Sequence, residues 1–311
     1  MIMSMKKKCL LLLLPLLLAG CSEKGLEPFE NNVDGSLSIM TPTGAPAVVL
    51  SSFINDPKFQ PSNTAPTIIA QMVQEKVDIA VLPTNAGIQQ INKGLNYQIA
   101  ATITFGNMFI VSNGTDDDGV LDATDNIYLF GKGSVPHKTF QAIYNINVPD
   151  EKIKGNSGDI KNMIELNQEA YEYALIAEPD LTSLQSKGTP ITVFANIQTE
   201  YKNKFNGQEI FQASVFVRKG LNADTVKSYL DAFKRYSARL LEHPETLKDV
   251  LAKDPTAEST LVININDAIA SISNGNRLGV GYKNAFEHKS EIDTFLSVFG
   301  LPATNEEIYF K

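Results

Sequence analysis

Asp78-Ile-Ala-Val-Leu-Pro-Thr-Asn-Ala-Gly87 is an apolar run that stops at a proline and passes into small and hydroxyl-bearing residues. A short apolar run bounded by turn residues reads as a strand buried on both faces. Thr84 to Gly87 then opens a helix. The same grammar recurs along the chain. Leu37 to Met40 is a strand that runs into Thr41-Pro42-Thr43-Gly44-Ala45-Pro46 and an apolar helix, Ala47 to Ile54. Asn126 to Phe130 leads into Gly131-Lys132-Gly133-Ser134-Val135-Pro136 and a helix from Pro136 to Asn145. Tyr173 to Ala177 leads into Glu178-Pro179-Asp180 and another helix. Thr67 to Lys76 reads as a helix, while Tyr97 to Phe105 and Met108 to Ser112 read as extended. Strands alternating with helices predict an α/β fold with mostly parallel sheets.

In open α/β sheets, ligands gather at the carboxyl ends of strands, where loops feed helix N-termini. The four junctions supply the candidate binding residues: Thr43, Gly44, Ala45, Thr84, Asn85, Gly133, Ser134 and Glu178. Small residues let a ligand approach the backbone, and hydroxyls and free N–H groups at helix starts supply donors. Pro46 and Pro136 suit a first helical turn, where no N–H is missed. Each loop taken singly is also what a well-capped helix start looks like; their recurrence in order is the informative feature. The glycine turn at Gly131 fails the spacing of a nucleotide loop, because no Gly-Lys-Ser/Thr follows at the right distance and Pro136 stands where a third glycine belongs. It is read as a pocket wall in which Ser134 and nearby backbone donors face an acceptor group. Glu178 has two open roles, accepting from a ligand or capping the helix that follows it.

Lys6, Lys7 and Lys8 precede an apolar run that closes on Leu18-Ala19-Gly20-Cys21. A charged start, a short apolar stretch and small residues before a break describe a secretory leader, too short to span a bilayer, which needs about 20 residues. The ending resembles a bacterial lipobox. That resemblance implies cleavage before Cys21 and lipidation of its thiol; an ordinary secretory leader is the alternative. The leader would be residues 1–20, with a lipidated cysteine and polar tether over 21–33. Cys9 would leave with the leader, so a mature chain has no thiol free for a disulfide, thiolate metal site or nucleophile. The 27 basic residues less the three leader lysines, against 35 acidic ones, leave a charge of about −11. A surface that acidic argues against nucleic acid and against electrostatic attachment to anionic lipid.

Other chemistry is thin. His137, His243 and His288 are scattered and are read as surface or capping residues, with no metal site and no cofactor expected. Gly114 to Gly119 carries three aspartates but lacks the spacing of a calcium loop and is read as a solvated turn. No Gly-x-Ser-x-Gly occurs, and Glu178 is the one candidate acid or base. Lys132 is the only cation near the pocket loops, which favours a neutral, zwitterionic or aromatic ligand over a doubly charged anion.

In their order, these segments resemble the solute-binding proteins of ABC importers, in the group of nitrate, sulfonate and thiamine-precursor binders. The resemblance rests on Val77 to Ala86, Leu129 to Ser134, Tyr173 to Pro179, and the late helix Asp224 to Leu241 with its Glu242-His243-Pro244-Glu245 turn. It implies a two-lobed, type II periplasmic-binding fold with two interlobe crossovers, near Met108 to Asn113 and Gln212 to Val217. Lobe one would be 34–112 plus 215–311, and lobe two 113–214. The implied protein is a monomeric, non-enzymatic lipoprotein outside the cytoplasm, delivering a small molecule to a permease and its ATPase. An enzyme on the same scaffold and a surface sensor or interaction lipoprotein are the alternatives.

Overall fold

A computed structural model describes residues 26–115 and 118–311. Cys21 and the leader lie outside the described residues, as do Asp116 and Asp117 of the acidic turn.

The strands, in chain order, are β1 (Ile39–Pro42), β2 (Phe59–Ser62), β3 (Ile79–Pro83), β4 (Tyr97–Phe105), β5 (Met108–Ser112), β6 (Ile127–Phe130), β7 (Ile153–Lys154), β8 (Tyr173–Ala177), β9 (Thr192–Asn196), β10 (Phe211–Arg218) and β11 (Val280–Asn284). They form two sheets, one in the order β11-β4-β10-β3-β1-β2 and one in the order β7-β6-β8-β5-β9. The fold class is therefore α/β with two sheets, and β3 shows why these strands form. Successive side chains of a strand point to opposite faces. Ala80 and Leu82 pack with Ile68, Met72 and Ile88 of the helices on one side, while Ile79 and Val81 pack with Val48, Tyr229 and Phe233 on the other. Both faces are covered, so the strand carries no polar alternation. Each Ile, Val or Leu side chain so taken out of water contributes about 1.5–3 kcal/mol.

The sheets are mixed, whereas mostly parallel ones were expected. β2, β1 and β3 run parallel, as do β7, β6 and β8. β10 is antiparallel to both β3 and β4, and β5 is antiparallel to β8 and β9. β11 is antiparallel to β4 as well, and β5 and β10 are the strands on which the chain enters one sheet from the other.

Sheet membership also moves the predicted crossovers. β5 was assigned to lobe one, but Met108 to Ser112 pair entirely within the five-stranded sheet. Gln212 to Ser214, assigned to lobe two, lie in β10 of the six-stranded sheet. The chain changes sheets at Gly106-Asn107 and returns between the helix Ile197–Lys204 and Phe211. The two passages are clasped together. The Asn107 backbone N–H donates to Gln212 Oε1 at 3.2 Å, and Gln212 Nε2 donates to Asn107 Oδ1 at 2.6 Å. Gly279 packs against the first passage, where a Cβ would lie 1.8 Å from the Phe105 carbonyl oxygen.

The described part of the predicted tether is held against the body. Arg239 donates to the Glu27 carbonyl and Arg235 to those of Glu30 and Asn31, all from the helix Ala223–Glu242. Phe29 packs on Tyr236 with ring centroids 4.8 Å apart.

Candidate ligand-binding cleft

A cavity of about 550 Å³ opens between the two sheets, where the carboxyl ends of β1, β3, β6 and β8 face one another. Its size falls within the range of about 300–1,000 Å³ usual for small-molecule sites.

From the six-stranded sheet, Pro42, Thr43, Gly44, Ala45 and Pro46 form one wall. Gly44 holds φ 79° at the start of the helix Ala45–Val49. Its N–H donates to the Leu261 carbonyl, tying this loop to the rim segment that carries Val262. At the next junction Pro83 reaches the cavity, and Thr84 and Asn85 do not line it. The Thr84 hydroxyl sits 2.7 Å from that of Ser214, which is 2.8 Å from Thr102 Oγ1, forming a buried hydroxyl chain within the sheet. Asn85 is 2% exposed.

From the five-stranded sheet, Phe130, Gly131, Ser134, Val135 and Pro136 form the facing wall. Gly131 and Gly133 hold φ of 70° and 74°, a region side chains other than glycine rarely adopt. The turn they make folds back on itself. Ser134 Oγ donates to the Gly131 carbonyl at 2.6 Å, and the Gly133 N–H donates to His137 Nδ1 at 2.9 Å. Gly133 therefore shapes the wall from behind. His137 is buried, so of the surface or capping role expected of it the surface one does not hold, while its ring accepts from the Gly133 N–H just ahead of the helix. Burial lowers its pKa below the usual 6.5, so the ring is neutral and, with Nδ1 accepting, carries its proton on Nε2. His243 and His288 lie beside Glu245 and Glu291. Lys132 pairs with Asp150 at 2.5 Å in solvent and does not line the cavity.

A further wall had not been anticipated. Gly155 to Asp159, with Lys161 and Asn162, lines the cavity and includes the start of the helix Ser157–Glu165. Asn156 and Asp159 form a reciprocal capping box there, and Ser157 Oγ accepts from the Ala177 N–H at 2.9 Å. The Asn-x-x-Asp spacing ahead of Ile160 was the available signal.

Glu178 lies at the cavity floor with its side chain 0% exposed. Its Oε2 accepts from the Thr182 N–H and from Ser271 Oγ, each at 3.0 Å. Its Oε1 lies 2.6 Å from Arg277 Nη2. Arg277 comes from the turn before β11 of the other sheet, and its guanidinium sits 4.9 Å over the Phe109 ring. Of the two roles left open for Glu178, helix capping is observed, and an ion pair between the sheets is added to it.

Two lobes built on mixed sheets, joined by two clasped passages with a cavity between them, define a known architecture. The fold is that of the periplasmic binding proteins. An ABC transporter from Parabacteroides distasonis shares it at TM-score 0.70 and 16% identity, over 89% of this chain and 99% of that one. The periplasmic aliphatic sulphonate binding protein of Escherichia coli matches at TM-score 0.61 and 12% identity, over 85% of this chain and 86% of its own. The periplasmic nitrate-binding protein of Synechocystis matches at TM-score 0.59 and 13% identity, over 87% and 83%. No protein-family model and no curated protein matches the sequence. In a periplasmic-binding fold the cavity described here occupies the space between the lobes. Among the described residues no helix is long and apolar enough to cross a membrane.

Proposed function

We propose that this chain is the solute-binding component of an ABC importer, carried outside the cytoplasm and held at the membrane through lipidated Cys21. A small molecule is captured between the lobes and passed to a permease driven by an ATPase. The observation that carries this reading is the cavity of about 550 Å³ closed by strand ends and helix starts from both sheets. Ligand bound there contacts both lobes at once, so it stabilises the closed arrangement over an open one. The proposed lobes follow the sheets, one on either side of the Asn107–Gln212 clasp, and the chain acts as a monomer.

The enzyme alternative relied on Glu178 as its acid or base. Both carboxylate oxygens of that residue are taken up by Thr182, Ser271 and Arg277, so the geometry favours binding over turnover.

Native mass spectrometry of the full chain, purified in mild detergent without refolding, tests the reading. A reproducible additional mass, released intact on denaturation, is the expected result. A released compound that is a converted form of one supplied would support the enzyme instead. No bound mass, together with no thermal stabilisation by any metabolite, would leave an interaction lipoprotein as the better account.

A further inference from the structure

We propose that the cleft selects a ligand with no net negative charge: an uncharged or singly cationic polar molecule carrying both hydrogen-bond donors and acceptors. This rests on the receptor reading above and names its ligand class.

The charges around the cavity carry the argument. Lys161 is the only lysine or arginine lining it among the described residues. Its ammonium lies 3.2 Å from Asp180 Oδ1 on the same lobe, so it brings no unbalanced positive charge. Arg277 is committed to Glu178. Asp159 also lines the cavity, with Oδ2 accepting from the Asn156 N–H and no cation within ion-pairing distance. The lining as a whole is therefore negative. A second recess of about 390 Å³, which shares Lys161 and Asp180 with the cavity, adds Glu258 and Asp267. A cleft whose wall, at Asp159, and adjoining recess both carry excess carboxylate repels an approaching anion and concentrates cations.

The helix starts do not reverse this balance. A helix N-terminus presents roughly half a positive charge, and that of Ser157–Glu165 is already answered by Asp159 in its first turn. At Val135–Tyr144 the N-cap Ser134 makes no side-chain cap. That leaves backbone donors suited to a carbonyl or hydroxyl oxygen.

Uncommitted polar groups are of the neutral kind. Thr43 and Asn63 on one lobe and Asn162 on the other line the cavity, and none of the three side chains has a protein partner among the described residues. A carboxamide offers both donors and acceptors. Two of them lining one cavity, Asn63 from one lobe and Asn162 from the other, match a molecule that also presents both.

The test is a thermal-shift panel on the full chain in detergent. The anionic probes are nitrate, an alkanesulfonate, a phosphate monoester and a dicarboxylate; the rest are uncharged or singly cationic polar metabolites of similar size. The expected result is a rise in Tm of about 5 °C or more at saturation, confined to uncharged or cationic members. For the best of these, Asn162→Lys should reduce the shift more than Asn162→Asp does. An anion that stabilises the protein, with the shift lost in Asn162→Asp and kept in Asn162→Lys, overturns this inference and leaves the receptor reading intact. Silence from every class overturns both.

Discussion

Glu178 and Arg277 meet across the two sheets, with Oε1 and Nη2 2.6 Å apart and the carboxylate sealed from solvent. The pair lies beside the chain's first passage between the sheets, because Arg277 stacks on Phe109 of β5 while Gly279, two residues later, packs on Phe105 of β4. It fixes how one lobe sits on the other close to the pivot.

Removing one partner should be costly, since it strands a buried charge. Arg277→Ala is expected to destabilise by about 3–5 kcal/mol, read as a lower midpoint in urea unfolding. Glu178→Leu combined with Arg277→Met should cost less than the two single changes together. Equal additive losses would show that the two residues do not act as a pair.

The glycine turn gives a graded prediction. Gly133→Ala has open space around its added methyl but must hold φ 74°, a strain of about 1–2 kcal/mol. Gly131→Ala carries the same backbone strain at φ 70° and also brings its Cβ within 2.5 Å of Ser134 Oγ. Thermal unfolding should therefore rank Gly131→Ala as the more damaging.

His137 makes stability depend on pH in a set direction. Its folded pKa lies below 6.5 because burial disfavours the charged ring, so the unfolded chain binds the proton more readily. Its contribution is complete above about pH 6.5 and is lost as pH falls from there through the folded pKa. Tm measured between pH 7.5 and 5 should fall less steeply in His137→Gln than in the wild type. Parallel curves would remove His137 from this role.

Val262 sits at φ 54° and is 58% exposed, at the cleft rim between two short helices. A β-branched residue in this region is strained. Relief of about 1–2 kcal/mol of strain outweighs the entropic cost of a glycine, about 0.5–1 kcal/mol, so Val262→Gly is expected to raise the urea midpoint slightly. An unchanged or lower midpoint would mean that the side chain's contacts outweigh the strain.

How much of this was legible in the sequence follows from burial. β4, β5 and β8 begin and end where their apolar and β-branched runs do, because each is enclosed by its neighbours. β1 is displaced by two residues toward Pro42, since pairing with β2 carries it into the loop. β2, with the sequence Phe-Gln-Pro-Ser, and β9, an edge strand with exposed Val193 and Phe194, carry too little apolar pattern to be read alone. Thr43, Gly44, Ala45, Ser134 and Glu178 lie along the cavity because strand ends are where loops converge. Thr84 and Asn85 belong to the same kind of junction, but the Thr84 hydroxyl turns back to Ser214 of β10 and Asn85 is buried. Arg277 had no local signature; its role comes from a partner on the opposite sheet, which only the folded chain brings near.

If the cleft is the binding site, Thr43 and Asn162, one on each lobe, hold a small molecule between them. The most direct measurement is equilibrium binding of the compound released from the wild-type protein, compared between the wild type and Thr43→Ala/Asn162→Ala at matched Tm. The expected result is a loss of affinity of at least about tenfold, corresponding to roughly 1.4 kcal/mol for two lost hydrogen bonds. Unchanged affinity in a folded double variant would contradict it and place the binding site outside this cleft.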